Sequence, residues 1–249
     1  MRELLADGGI ALGGWMGIGH PAVAAAYAAA GHRWTGIDLQ HGAISEADLT
    51  SILPILRGLG LGTIVRVPWN TPAAVMRALD LGAEGIIAPM IDTAEDAQRL
   101  VDAARYPPLG GRSWGPVFQV YPTVEAANQD VIVLPMIETS EGLANVEAIV
   151  NVEGVDGVFI GPIDLSLALN LTREHALNES QALTKHYPQI VAAAEAAGKF
   201  VASVAYTAKH AQSCVDKGMR LLCVGSDRGY LTKGISAEIA ALKDIKPKR

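Results

Sequence analysis

The hydrophobic residues of this chain fall into eight short runs, and longer segments with helical caps separate these runs. Most of the runs are apolar on both faces, which is typical of parallel strands that helices cover. The predicted strands are IALGGWM (10–16), WTGIDL (34–39), TIVRVP (63–68), EGIIAPM (84–90), VIVLPMI (131–137), GVDGVFIG (154–161), FVASVA (200–205) and RLLCVG (220–225). Alternating strands and helices predict a parallel α/β fold, and eight units favour a closed (β/α)₈ or TIM barrel over an open doubly wound sheet. We therefore expect residues 1–249 to form one TIM-barrel domain.

The helical segments have readable ends. Thr71, Thr93 and Ser140 are residues of the kind that begin helices, and Gly82 ends the helix that Thr71 begins. Pro54 lies inside an otherwise helical segment, where it predicts a kink or an early break. No GxGxxG motif follows the first predicted strand, which weakens the dinucleotide-binding alternative.

Composition narrows the classes of function. The chain has 249 residues, of which 50% are hydrophobic and 18% charged, and its net charge is −6. This balance, with no basic run outside the C-terminal KDIKPKR, argues against a nucleic-acid partner. No apolar run approaches the roughly 18 residues of a membrane span. Cys214 and Cys223 have neither metal-site nor disulfide spacing, so we expect a protein of the reducing cytoplasm.

Polar residues stand where the predicted strands end, and in a TIM barrel the chemistry collects at these ends. They are Asp38, Gln40 and His41 after the second strand, Arg66 in the third, Glu138 after the fifth and Asp164 after the sixth. Together they supply two carboxylates that are able to share a metal ion, one imidazole and one guanidinium. Two carboxylates with water suit Mg²⁺ or Mn²⁺ better than zinc, which prefers His and Cys.

Each of these residues also has an ordinary explanation. Glu138 alone is more often a capping or solvated carboxylate, and Asp164 is a good N-cap for the helix that follows it. Arg66 lies within a buried strand, where a guanidinium needs a partner or a substrate. Asp80 occupies the last turn of a helix, where the macrodipole disfavours an anion, so it is either merely exposed or positioned to reach a histidine.

Two further segments are ambiguous from the sequence alone. The connection YPPLGGRSWGPVFQVYP (106–122) is rich in Pro, Gly and aromatic residues, and such long loops usually serve a site or an interface. Its Trp114 fits a pocket wall, the core or an interface. VGSDRG (224–229) fits a phosphate-binding loop or a simple strand-to-helix turn with Asp227 near the cap.

Five segments, taken in order, resemble the HpcH/HpaI family of metal-dependent aldolases, which act on pyruvate-type substrates. The segments are IDLQHG (37–42), VRVPWNTPAAVMRALDLGAEGIIAPM (65–90), RYPPLGGRSWGP (105–116), MIETSEGLANV (136–146) and VEGVDGVFIGPIDLS (152–166). The resemblance implies that Glu138 and Asp164 hold a divalent cation, Mg²⁺ or Mn²⁺ or alternatively Co²⁺, with no organic cofactor. It also implies that backbone amides of the turn Gly161-Pro162-Ile163-Asp164 hold the substrate carboxylate.

The resemblance assigns roles to the remaining polar residues as well. His41 matches the catalytic histidine, and Asp38 and Asp80 match acidic residues that orient or polarise it. Arg66 matches the arginine that faces the keto oxygen of the substrate. The implied reaction is reversible aldol addition or cleavage between a 2-oxo acid and an aldehyde, in which the cation and Arg66 stabilise an enolate and His41 moves the proton, directly or through water.

Three residues depart from the pattern of many family members. Gln40 replaces a glutamate, Met136 replaces a glutamine, and Ile163 replaces a smaller residue. These changes concern the fit of substrates such as pyruvate and hydroxypyruvate, and Gln40 looks closer to members that accept hydroxypyruvate. The resemblance further suggests a homohexamer, with a C-terminal helix (about 235–245) packed on a neighbour and loop 106–122, including Trp114, near its own or an adjacent active-site mouth.

Other functions remain open at this point. A Schiff-base aldolase needs a desolvated lysine at a strand end, whereas Lys199 precedes the seventh strand and Lys209 lies several residues beyond it. A CoA-ester lyase of the citrate-lyase type would need a basic patch for the CoA phosphates, and an oxaloacetate decarboxylase would use the same enolate. A non-catalytic 2-oxo acid binding barrel would need the carboxylates and Arg66 but not a base.

Overall fold

The computed structural model describes residues 1–243, which form a closed barrel of eight parallel strands in sequential order. The strands are β1 (Ala11–Met16), β2 (Trp34–Asp38), β3 (Gly62–Arg66), β4 (Gly85–Ala88), β5 (Ile132–Ile137), β6 (Gly157–Ile160), β7 (Phe200–Ala205) and β8 (Leu221–Ser226). The predicted TIM barrel is therefore confirmed, and each predicted strand overlaps an observed one. The largest difference is in β6, which begins three residues after its predicted start because 154–156 belong to the preceding turn.

Helices connect the strands and surround the barrel. Within residues 1–243 they are α1 (Arg2–Leu5), α2 (Pro21–Ala29), α3 (Glu46–Gly58), α4 (Pro72–Asp80), α5 (Ala94–Ala104), α6 (Val124–Asp130), α7 (Ser140–Ala144), α8 (Val146–Val150), α9 (Pro162–Ala168), α10 (Arg173–Leu177), α11 (Gln181–Thr184), α12 (Tyr187–Ala196), α13 (Ala208–Asp216) and α14 (Asp227–Leu242). Thr71 and Thr93 cap α4 and α5 through their side chains, as predicted. The cap of α7 is Thr139, so Ser140 is the first helical residue.

The early break predicted at Pro54 is wrong. The α3 helix continues through Pro54 to Gly58. Buried leucines lie on both sides of the proline, Leu49 and Leu53 before it and Leu56 after it. This packing on both sides of the proline outweighs the loss of one backbone hydrogen bond.

Hydrophobic residues form two layers. One fills the barrel interior and includes Trp34, Ile64, Ile87, Leu134 and Phe159. The other lies between the outer faces of the strands and the surrounding helices. The interior is thus closed by side chains, and a site in such a barrel is expected at the end where the strands finish.

The C-terminal helix differs from the other long helices. It begins at Asp227 rather than near 235, and of its 16 residues only Asp227 is buried. The predicted end near 245 lies outside the described residues. Over residues 1–243, no helix combines the length and apolar character needed to cross a membrane.

Candidate active site

A cavity of about 660 Å³ opens at the carboxyl ends of the strands. Its wall brings together most of the polar residues that the sequence predicted. The predicted site residues that line it are His41, Arg66, Glu138, Gly161, Pro162, Ile163 and Asp164. Trp15, Met136 and Phe159 also line the cavity.

Arg66 is held by Asp38. The register of β2 and β3 places these two residues side by side. Arg66 donates from Nε to Oδ1 of Asp38 at 2.9 Å and from Nη2 to Oδ2 at 2.7 Å, a bidentate pair in which both residues are buried. The guanidinium also lies over the Trp15 ring, 5.1 Å from its centroid, and the indole Nε1 donates to Asp38 at 3.2 Å. The planar guanidinium is therefore fixed in orientation before any substrate arrives.

Asp38 also organises the turn that carries His41. Its Oδ1 accepts hydrogen bonds from the backbone N–H groups of Gln40 and His41, both at 3.1 Å. Burial by itself raises the pKa of Asp38, but the hydrogen bonds and charge of Arg66, together with the His41 N–H and Trp15, lower it below its ordinary value. Asp38 is thus an anion that ties the imidazole turn to the guanidinium.

Glu138 is a buried carboxylate at the end of β5. Its Oε1 accepts a hydrogen bond from the backbone N–H of Met90 at 2.9 Å. Burial raises the pKa of Glu138 to about 7, the charge of Asp164 adds to the rise, and the Met90 hydrogen bond opposes it. A Cβ at Gly161 would lie 2.6 Å from Oε2, so only glycine leaves room for the carboxylate here. The ordinary explanation of Glu138 as a solvated carboxylate does not fit its burial.

Asp164 stands in the first turn of α9 and lines the cavity half-buried. The helix begins at Pro162 with Gly161 as its N-cap, so Asp164 is not the cap that the sequence alternative proposed. The negative charge of Asp164 contributes to the raised pKa of Glu138. Among residues 1–243, no group of three or more His, Cys, Asp or Glu side chains is placed to hold a metal ion, so a cation here would have two protein carboxylates and water as ligands.

Four predicted site residues do not line this cavity: Asp38, which contacts it only through Arg66, and Asp80, Trp114 and Gln40. Asp80 accepts a hydrogen bond from Arg112 Nη2 at 2.7 Å, and Arg112 stacks on the Tyr106 ring. Trp114 is exposed on the same loop and contacts the Tyr106 ring, and neither it nor Asp80 lines the cavity of its own chain. Gln40 precedes His41, and its Oε1 is buried without a hydrogen-bond partner among the described residues.

Several contributors were not visible in the sequence. Met90 acts through its backbone N–H, and it adopts a left-handed conformation with φ of 55°, which is uncommon for a residue with a side chain. A methionine at position 90 predicts neither the hydrogen bond nor the backbone conformation. In the sequence, Trp15 appears only as part of the predicted strand IALGGWM (10–16). Tyr206, Tyr230, Arg173 and Lys233 also line the cavity, from positions where the sequence pattern does not show which way a side chain points.

The segment VGSDRG forms a strand-to-helix turn. Ser226 caps α14 by accepting the N–H of Gly229. Asp227 accepts the backbone N–H groups of Gly17 and Ile18 at 2.9 and 2.7 Å. Asp227 therefore joins the loop after β1 to the start of α14 at the barrel mouth.

Comparisons with known proteins agree with this geometry. The sequence profile described as HpcH/HpaI aldolase/citrate lyase matches residues 12–233. The 2-keto-3-deoxy-L-rhamnonate aldolase of Salmonella gallinarum is 31% identical, over 98% of this chain and 93% of that protein. The 4-hydroxy-2-oxovalerate aldolase of Novosphingobium aromaticivorans is 34% identical, over 94% of this chain and 90% of that protein. The crystal structure of an HpcH/HpaI aldolase from Desulfitobacterium hafniense superposes with a TM-score of 0.91 at 26% identity, over 100% of this chain and 98% of that chain. The chain therefore belongs to the HpcH/HpaI aldolase/citrate lyase family.

Proposed function

We propose that this carbon–carbon lyase catalyses reversible aldol addition between a pyruvate-type 2-oxo acid, pyruvate or hydroxypyruvate, and an aldehyde, with a divalent metal ion. The observation that carries the proposal is the convergence of Glu138, Asp164, Arg66 and His41 on one cavity at the barrel mouth. Aldolase relatives that align over nearly the whole chain support the same reaction class.

The two carboxylates fit a hard divalent cation. Glu138 is 3% exposed, and a buried carboxylate without a cation is costly, which is why its pKa rises to about 7. One of its oxygens is occupied by the Met90 N–H, while the other faces Gly161. Mg²⁺ and Mn²⁺ bind through one or two carboxylates and keep several waters, so two protein ligands are enough. When bound, such an ion supplies positive charge that stabilises the enolate of a 2-oxo acid.

The other residues have distinct tasks in this proposal. Arg66 presents a fixed guanidinium to the developing negative charge on the keto oxygen, and Asp38 keeps it from moving. His41 takes and returns the proton at C3 of the donor, and Asp38 positions its backbone. Pro162 has no N–H and Gly161 donates to the carbonyl of Ile137, so the donors that suit the substrate carboxylate at the amino end of α9 are the N–H groups of Ile163 and Asp164.

Donor choice is assigned to Gln40. It precedes His41, but its side chain does not line the cavity, so its buried Oε1, which has no partner among residues 1–243, would reach a substrate hydroxyl only after a change of side-chain conformation. Hydroxypyruvate carries such a hydroxyl at C3, and pyruvate does not. The resemblance of Gln40 to members that accept hydroxypyruvate is therefore the support for this donor.

Within the part of the chain that the structure describes, the Schiff-base alternative finds no suitable lysine. Lys199 donates to the backbone carbonyls of Val150 and Val152, and it precedes β7 at the opposite end of the barrel from the cavity. Lys233 lines the cavity but is exposed, whereas a Schiff-base lysine needs desolvation.

The exposed α14 helix supports a homo-oligomer, and we extend this to the homohexamer that the resemblance suggests. Leu231, Ile235, Ile239 and Leu242 form an apolar stripe along α14, each more than half exposed. On the barrel, the outward-facing Leu12 in β1 is 48% exposed, so the wall that an eighth helix would cover is bare. A second copy that lays its α14 on this wall buries both surfaces. The two free, buried cysteines suit the cytoplasmic location that we propose.

A metal-replacement assay tests the catalytic proposal. The protein is stripped with EDTA, reloaded with Mg²⁺ or Mn²⁺, and assayed with pyruvate and hydroxypyruvate against a panel of aldehydes. We expect aldol turnover only after reloading, and no covalent adduct on borohydride treatment. Turnover that survives EDTA and gives an adduct would assign the reaction to a lysine instead.

A further inference from the structure

The position of the His41 imidazole depends on how the backbone of its turn is held. His41 follows the end of β2 and is exposed at the cavity. Its hydrogen bonds within residues 1–243 are made by its backbone, from the N–H to Asp38 and from Arg228 to the carbonyl oxygen. The loop after β1 and the start of α14 both contact this turn. Residues that fix these neighbours therefore also help to fix the imidazole.

The loop after β1 lies directly beside the imidazole turn. Ala43 donates its N–H to the carbonyl oxygen of Gly17 at 2.8 Å, and Ala43 and Ile18 form a short parallel bridge. A Cβ at Gly42 would lie 2.2 Å from the carbonyl oxygen of Asp38 and 3.4 Å from Cα of Gly17, so only glycine fits here. Because the two segments are in such close contact, a shift of the loop after β1 would also shift the turn.

Asp227 is the residue that holds the loop after β1. Its Oδ2 accepts the N–H groups of Gly17 at 2.9 Å and Ile18 at 2.7 Å, and its Oδ1 accepts the N–H of Arg228 at 2.7 Å. The residue is only 6% exposed, and hydrogen bonds from N–H groups to a buried carboxylate are strong. Both oxygens are therefore used to join the first turn of α14 to the loop.

Arg228 reaches the imidazole turn from the next position on α14. Its Nη2 donates to the carbonyl oxygen of His41 at 3.3 Å. The guanidinium also lies close to the loop, since a Cβ at Gly17 would be 3.4 Å from Nε. Arg228 forms no salt bridge with any residue of the described range 1–243. The peptide groups on both sides of the His41 Cα are thus held, one by Asp38 and the other by Arg228.

We propose that Asp227 and Arg228 position His41 for proton transfer at C3 of the donor. This inference rests on the proposed aldolase function, in which His41 moves that proton. Neither Asp227 nor Arg228 lines the cavity, so they are positioning residues, which act through the loop after β1 and through the His41 carbonyl. A misplacement of about 1 Å is able to cost about 10²-fold in rate, so a small shift of the turn has a large effect.

The test follows the proton directly and needs no aldehyde. NMR measures how fast the metal-loaded enzyme exchanges the C3 protons of pyruvate with D₂O. Asp227→Asn should lower this rate about 10²-fold, because an amide has one acceptor oxygen and cannot accept on both sides. Arg228→Met should lower it about tenfold, and Arg228→Lys, which keeps a donor, should restore most of the rate. Calorimetric affinity for pyruvate should stay within about twofold of the wild type in all three variants.

Two control variants test whether the effect comes from damage to the fold. Asp156→Asn removes a half-buried carboxylate that accepts the N–H of Val133 at the opposite end of the barrel, and it should lower thermal stability without slowing exchange. Arg33→Met changes an exposed arginine directly before β2, also at the opposite end, and should leave both unchanged.

A His41→Ala background distinguishes positioning from a general structural role. Because Asp227 and Arg228 act through His41, Asp227→Asn and Arg228→Met should lower the residual exchange of His41→Ala less than about twofold. An equal factor of loss with and without His41 would overturn the inference. Exchange rates of Asp227→Asn and Arg228→Met that match the wild type would also overturn it.

A second NMR measurement separates this inference from the catalytic proposal. In protein with ¹³C-labelled histidine, the imidazole resonance of His41 is assigned by its loss in His41→Ala. It should shift in Asp227→Asn and Arg228→Met and stay in place in Asp156→Asn. A wild type without metal-dependent exchange, together with these shifts, would reject the aldolase and keep the positioning of His41. A His41 resonance that is the same in all the variants would overturn the inference whatever the exchange rates.

Discussion

The raised pKa of Glu138 gives a test of the metal site that needs no substrate, the substitution Glu138→Gln in metal-free protein. A glutamate in the unfolded chain titrates near its ordinary value of 4.5, whereas in the folded protein the pKa of Glu138 is about 7. Between these values the unfolded state has lost its proton and the folded state has kept it. The free energy of unfolding of the wild type therefore falls as the pH rises through this window.

The magnitude follows from the difference of about 2.5 pKa units. At about 1.4 kcal/mol per unit, the wild type loses about 3 kcal/mol of stability between pH values below 4.5 and above 7. Solvent screens the charge of Glu138 little because the residue is only 3% exposed. Glutamine does not titrate, and its amide oxygen is still able to accept the Met90 N–H. The free energy of unfolding of the variant should therefore rise relative to that of the wild type as the pH rises. Between about pH 5 and about pH 8.5 the relative rise is about 2.5 kcal/mol, since part of the unfolded-state titration is complete at pH 5.

The assay is urea unfolding of both EDTA-treated proteins at several pH values and one protein concentration. Glu147→Gln, on an exposed position of α8, is the matched control and should show no such dependence on pH. Added Mg²⁺ or Mn²⁺ should stabilise the wild type at pH 8.5 and have a much smaller effect on Glu138→Gln. A stability difference between Glu138→Gln and the wild type that is flat with pH would refute the argument that burial makes this carboxylate costly without a cation.

Three further predictions concern the other parts of the site and the subunit contacts. Asp38→Asn should lower the free energy of unfolding by about 3–5 kcal/mol, because it leaves Arg66 buried without its anion, whereas the exposed Asp102→Asn should change it little in the same urea titration. His41→Ala should lower aldol turnover by about 10²–10⁴-fold and leave metal and pyruvate binding intact in calorimetry, and unchanged turnover would favour a binding protein instead. Ile239→Glu should dissociate the oligomer in sedimentation experiments because it places a charge in the apolar stripe of α14, while the neighbouring Glu238→Gln should not.

The sequence was sufficient for the barrel because its strands are covered on both sides. Each strand of the closed barrel is marked by an apolar run, and polar residues at or just after the ends of these runs, Arg66 and Glu138 among them, reach the cavity. In a TIM barrel the functional residues collect at the carboxyl ends of the strands. For this reason, and through the family resemblance, the donor half of the candidate site could be predicted before the structure was known.

The opposite side of the cavity, which includes Arg173 and Lys233, could not be predicted in the same way. Arg173 lies in a five-residue helix after a turn, and Lys233 lies in a helix whose sides are nearly all exposed. Neither setting has a hydrophobic periodicity that would show which residues face the cavity. The contact of Met90 with Glu138 uses a backbone N–H, which every residue except proline possesses. Asp80 shows a related limit, since its partner Arg112 comes from a loop without periodic structure, and its predicted role beside His41 stays a prediction.

The charged residues of the cavity wall are divided between its two sides. Arg66 is neutralised by Asp38, and a dication between Glu138 and Asp164 would neutralise these two carboxylates. The remaining charged residues of the wall are Arg173 and Lys233, so two positive charges are left when His41 is neutral. A 2-oxo acid brings one negative charge and so offsets one of them. Arg173 and Lys233 are exposed, so water screens their charges, whereas Glu138 is buried, and an unpaired charge is costly there. The same burial therefore explains both the raised pKa of Glu138 and the proposal that this carboxylate holds a cation.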